Sequence, residues 1–124
     1  FLISTPRAQA DQTKVFLNGT TAPDSLQLRA GTRYRIRIIN IHTYRPSMRF
    51  ELRQGTELLR WRALAKDAAD LPPERATVRP ATQQLGNGET FDYEFVPAAA
   101  GDIQLNVLTG AGVLLVTMPV RIRA

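Results

Sequence analysis

Short runs in which apolar and polar side chains alternate account for most of the chain after residue 14. In Tyr34-Arg35-Ile36-Arg37-Ile38-Ile39-Asn40, one side carries Tyr34, Ile36 and Ile38 and the other Arg35 and Arg37. Successive residues of a strand point to opposite faces, so this pattern predicts a strand with one face buried. The same device recurs at Leu26–Arg29, Met48–Arg53, Trp61–Ala65, Phe91–Phe95, Ile103–Val107 and Leu114–Arg123, with shorter pieces at Val15–Leu17 and Gln84–Leu85. Turn residues separate the runs: Asn18-Gly19, Gly31, Gln54-Gly55 and Gly88. About seven or eight such strands predict an all-β sandwich or Greek-key barrel. The one helical candidate, Asp67–Glu74, contains Pro72-Pro73 and is limited to a turn or two.

Residues 1–14 have no sustained period and read as a linker or the end of a preceding domain, with Phe1-Leu2-Ile3 as the close of a strand. The domain proper is expected at 15–124. The chain opens on Phe1 rather than Met, so it is expected to have been processed or cut from something longer. A length of 124 residues suits one domain able to bury a core without staples.

Two counts narrow the chemistry. The chain has no Cys and one His. That excludes a disulfide framework, an iron–sulfur cluster, a zinc ribbon, a cysteine nucleophile and a blue-copper site, which needs a thiolate and two imidazoles. No Gly-x-Ser-x-Gly element accompanies His42, which leaves a hydrolase without support. No apolar run is long enough to span a membrane, and no signal peptide is visible. Absence of Cys fits either side of a bacterial membrane.

The net charge is +5, and 14 of the 16 basic residues are Arg. Arg33, Arg35 and Arg37 share one strand face, and Arg49 and Arg53 share another. They read either as solvated strand faces or as a docking surface for an acidic neighbour. The aromatic interleaving of single-strand nucleic-acid binders is missing from those faces, so no nucleic-acid partner is expected.

Three segments resemble the cupredoxin-fold domains of multicopper oxidases. Leu26-x-Leu28-x-x-Gly31-x-x-Tyr34-x-x-Arg37-x-Ile39-Asn40 is similar to a strand–glycine turn–strand motif of that family, closing on an Asn that can cap the next loop. Trp61–Asp67 followed by Leu71-Pro72 resembles the family's strand running into an Asp-Gly turn, with Ala68 in place of the Gly. Leu85-Gly86-x-Gly88-Glu89-Thr90-Phe91-Asp92-Tyr93-Glu94-Phe95 resembles its glycine-led alternating strand. The three occur in the family's order.

The resemblance implies a cupredoxin-like Greek-key sandwich and also marks a departure. Placing Gly101 on the family's glycine puts Asn106, Val107 and Leu108 where a copper-bearing domain carries His-Cys-His. The upstream His-rich element is matched by Arg45-Pro46-Ser47-Met48-Arg49-Phe50. The resemblance therefore implies a copper-free domain, not catalytic alone. Its parent would be a laccase-like oxidase holding copper elsewhere, and its partners the sister cupredoxin domains, in a bacterial periplasmic or secreted protein. A stand-alone extracytoplasmic β-sandwich that binds proteins through a strand edge or an Arg-rich face is the alternative.

Individual residues keep two readings each. His42 is a lone metal ligand, an acid-base group or a substrate contact, or a surface or loop-packing side chain. Met48 and Met118 are axial-type ligands or core fillers, and Trp61 is a stacking residue or a core anchor. Asp67, Asp70 and Glu74 form a hard-cation site or a capped turn balanced by Arg75 and Arg79. Asn18-Gly19-Thr20 matches a glycosylation sequon and is expected to be a plain turn.

Overall fold

The computed structural model describes residues 1–4, 16–42 and 47–124, with the backbone alone at Leu2 and Phe16. Within these residues there is no helix, and hence none able to cross a membrane. The strands are β1 (Leu2–Ser4), β2 (Phe16–Leu17), β3 (Leu26–Arg29), β4 (Tyr34–Asn40), β5 (Ser47–Gln54), β6 (Glu57–Leu58), β7 (Arg60–Lys66), β8 (Ala69–Asp70), β9 (Val78–Pro80), β10 (Thr82–Gly86), β11 (Thr90–Phe95), β12 (Gly101–Thr109) and β13 (Leu114–Arg123). Eight of these have four or more residues, and they correspond to the strands predicted from alternation.

One sheet runs β2-β1-β4-β11-β7-β8 with β9 also on β7; the other runs β10-β5-β12-β13-β3 with β6 on β5. The chain passes repeatedly from one sheet to the other, which makes this a two-sheet sandwich. The alternation decides what lies between the sheets. Ile36 and Ile38 of β4, Trp61 and Ala63 of β7, and Tyr93 and Phe95 of β11 face Met48, Phe50 and Leu52 of β5, with Ile103, Leu105 and Val107 of β12 and Val116, Met118 and Val120 of β13.

The opening tripeptide contributes to this chain's own first sheet. β1 pairs in parallel with β4 (Leu2↔Ile39) and antiparallel with β2 (Ile3↔Leu17), and Ile3 is fully buried. Val15 and residues 5–14 lie outside the described residues.

The short helix considered at Asp67–Glu74 is instead a hairpin and a turn. Asp67 and Ala68 take positive φ of 50° and 66°, the pair of values a two-residue hairpin loop requires, and β8 folds back on β7. Asp67 holds this turn: its amide donates to the Thr90 carbonyl (2.7 Å) and its Oδ1 accepts from the Thr90 amide (2.9 Å). The short strands β6, β8 and β9 carry too few residues to show a period.

Asn40 ties the two sheets together. Fully buried at the end of β4, it donates from Nδ2 to the Leu85 carbonyl of β10 (3.1 Å) and accepts at Oδ1 from the His42 amide (3.0 Å). Asn40→Ala removes both of these buried hydrogen bonds, so we expect a loss of about 1–3 kcal/mol in urea unfolding. A loss close to zero would show that Asn40 is not the tie between the sheets.

Candidate functional site

Asn106, Val107 and Leu108 lie on β12, in the middle of the second sheet. Val107 points into the core with no exposure, in register with Phe50 on one side and Val116 on the other. Asn106 turns away from the core, accepts a hydrogen bond from the Thr117 hydroxyl and lies 3.5 Å from Glu51. A bulge follows Val107, and Leu108 is half-buried beyond it. An amide and two hydrocarbons offer nothing to a soft metal. With no thiolate in the chain and a single imidazole, the residues present do not fit a blue-copper centre.

The other candidates fall at separate places. His42 is fully buried just beyond β4. Met48, Met118 and Trp61 are core residues, at 0%, 5% and 2% exposure. Of the upstream matched element, Arg45 and Pro46 lie outside the described residues, while Ser47–Phe50 open β5 with Met48 and Phe50 in the core. Asp67 is engaged in its turn, and Asp70 and Glu74 are exposed. Among the described residues, no group of three His, Cys, Asp or Glu is placed to hold a metal.

The arginines divide between the outward sides of the two sheets. On the first, Arg35 and Arg37 converge on Asp92, a buried carboxylate on β11 directly opposite Arg37 in register. Arg35 Nε reaches Oδ2 at 2.7 Å, while Arg37 reaches Oδ1 through Nε and Oδ2 through its terminal nitrogen, both at 3.0 Å. Arg33 stands 3.7 Å from Glu94. On the second sheet, Arg53 binds the buried Glu51 at 2.6 Å, and Arg49 donates to the Gly110 carbonyl at 3.3 Å. Sequence reasoning missed Asp92 and Glu51. The signal was present: Arg49-x-Glu51-x-Arg53 puts an acid between two bases on one face, and Asp92-x-Glu94 complements Arg35-x-Arg37.

Burial alone would raise the Asp92 carboxyl above its ordinary value, but the hydrogen bonds and charges of Arg37 and Arg35 outweigh it and hold the group below the usual aspartate range. Tyr93 behaves differently: burial pushes its hydroxyl up to about 12, against the pull of Arg79, so it stays protonated at neutral pH. An apolar cleft of about 360 Å³ opens between β3 and β4, lined by Leu26, Leu28, Tyr34, Ile36, Phe95 and Val120 among others.

The fold recurs in solved structures. A multicopper oxidase superposes with a TM-score of 0.74 over 98% of this chain and 42% of its own, at 12% identity. The laccase-like multi-copper oxidase of the lignin-degrading bacterium Ochrobactrum sp. gives 0.73 over 99% of this chain and 30% of its own, at 13% identity. A multicopper oxidase variant from Aquifex aeolicus gives 0.66 over the whole of this chain and 29% of its own, at 12% identity. The chain thus has the fold of a cupredoxin-like domain and spans less than half of each of these proteins. No protein-family model matches the sequence, and no curated protein matches it at the sequence level.

Asp92→Asn keeps the shape and removes the charge that Arg35 and Arg37 share. At neutral pH we expect a loss of about 1–3 kcal/mol, the range for hydrogen bonds to charged groups discounted for the half-exposed arginines. A depressed carboxyl contributes stability that is present above its unfolded value and lost as pH falls through its folded one. The gap between the two proteins in urea unfolding should therefore close as the pH drops below about 3.8. A gap of constant size would trace the loss to packing instead of charge.

Proposed function

We propose that this chain is a copper-free cupredoxin-like domain of a larger, laccase-like multicopper oxidase. Its role there is architectural: it holds copper-bearing sister domains in register and helps shape the substrate cleft between them. Electron transfer and a metal cluster between domains both need rigid positioning, which a cross-braced sandwich supplies. The observation that carries this proposal is the match of nearly the whole chain to a minor part of several multicopper oxidases; the burial of Val107 in the core agrees with the lost-ligand position that the sequence resemblance implies for it.

In this proposal 15–124 form the domain, and 1–14 connect to a preceding one while lending Leu2–Ser4 to the first sheet. Asn106, Val107 and Leu108 stand at the positions of the lost ligands. The neighbours are sister domains, of the same or a partner chain. The arginines at 33, 35, 37, 49 and 53 and the apolar cleft beside β3 are the surfaces offered to them. The compartment is the periplasm or the exterior of a bacterium, as the resemblance implies. The oxidation chemistry belongs to the parent protein and not to these residues.

Metal analysis of two preparations tests this. The 124-residue chain, purified and titrated with copper, should bind none with an intense thiolate-to-copper absorption. The full-length product of the parent reading frame should carry copper and contain His-x-His and His-Cys-His elements outside this segment. A blue band in the isolated chain would refute the ligand alignment. A parent without copper and without those elements would sink the oxidase role and favour the stand-alone binding module.

A further inference from the structure

A second cleft, of about 220 Å³, lies against the inner side of the first sheet, under the 71–79 segment. Its floor is apolar and partly aromatic, from Leu71, Phe91 and Tyr93, and three cations border it: Lys66, Arg75 and Arg79. Among the described residues, the only acid paired with any of them is Glu89, whose carboxylate lies 3.1 Å from the Lys66 ammonium. Neither arginine enters a described ion pair. Arg79 donates instead to neutral oxygens, the Arg75 carbonyl at 2.7 Å and the Thr77 hydroxyl at 3.0 Å.

Those two contacts matter because they fix the guanidinium before any ligand arrives. The loop from Arg75 to Thr77 curls around Arg79, and β9 is anchored to β7 by Arg79↔Trp61. A charged group held in place by neutral partners keeps its charge available, and preorganisation lowers the entropy cost of binding. Lys66 also stands 5.5 Å from the centre of the Phe91 ring, so an aromatic surface and positive charge meet at the mouth.

We propose that this cleft binds a small anion with a flat apolar body, of the class of single-ring aromatic carboxylates. The carboxylate sits between Arg75 and Arg79, where a planar guanidinium offers two parallel donors. The ring lies over Leu71, Phe91 and Tyr93. The volume favours one ring, because sites for drug-sized ligands start at about 300 Å³. Copper and the identity of the parent protein do not enter, so the site stands or falls separately from the architectural role.

Benzoate is the probe, with benzamide and inorganic phosphate as its controls. Calorimetry on the 124-residue chain should show saturable benzoate binding, and the ring resonances of Phe91 and Tyr93 should shift with it. Benzamide has the ring without the charge and should bind about tenfold more weakly; phosphate has charge without the ring and should displace benzoate poorly. Arg79→Gln should weaken benzoate by about tenfold. Since Arg79 also braces its loop, Arg75→Gln, an exposed change, is the companion variant, with a several-fold loss expected at an unchanged melting temperature. The site is refuted if benzoate fails to saturate, if benzamide or phosphate binds as well as benzoate, or if both variants bind it as tightly as the parent chain.

Discussion

The two sheets meet through stacked rings. Trp61 lies on Tyr93, with centroids 3.9 Å apart and planes 10° from parallel, and Phe50 of the opposite sheet stacks on Trp61 at 6.2 Å. Phe1 and Phe91 extend the stack at either end. Each ring buries about 150–250 Å², worth about 4–6 kcal/mol at ~25 cal/mol per Å². Against that stands the Trp61 indole N–H, the one buried side-chain polar atom among the described residues without a hydrogen-bond partner. Its cost is about 1–3 kcal/mol, so ring burial wins. Everything else is arranged around that stack: β7 and β11 must be neighbours to bring Trp61 onto Tyr93, and β5 must face them to supply Phe50.

Charge follows from the same arrangement. A strand that gives its inner face to rings and aliphatics has only its outer face for arginines, which here are numerous. Asp92 between Arg35 and Arg37, and Glu51 beside Arg53, absorb part of that charge at the sheet surfaces. A surface pair in water contributes little, but Asp92 and Glu51 are buried beneath their partners and are shielded less. The stripes are therefore less cationic than the sequence suggests. Arg75 and Arg79 are among the described arginines that enter no ion pair, and no alternating strand drew attention to them.

The sequence announced the long strands because each has one dry face and one wet one. Leu26–Arg29, Tyr34–Asn40 and Leu114–Arg123 have the bounds that alternation predicts. Pieces such as Glu57–Leu58 and Ala69–Asp70 left no trace, since two residues cannot show a period and their pairing depends on a partner distant in sequence. The Asp67-Ala68 turn was obscured for another reason. Ala rarely takes positive φ, and only the pull of Thr90 on Asp67 shows why this loop is a hairpin and not a helical turn. The second cleft was illegible because it needs Lys66, Arg79 and Phe91 together, from three segments that meet only in the folded sheet.

In the proposed alignment, the loss of copper is spread over two strands and is filled on both. β5 brings Met48 and Phe50 into the core where a His-rich element would run, and β12 brings Val107. These side chains lie in one close-packed interior, so a ligand restored at any single position would stand alone among hydrocarbons. A buried imidazole or thiolate without its companions costs free energy and returns no metal. Recovering the site would take several simultaneous changes, each destabilising by itself. In that proposal, what the domain has left to offer is its exterior: the outward arginines, the cleft beside β3 and the cationic pocket under the 71–79 segment.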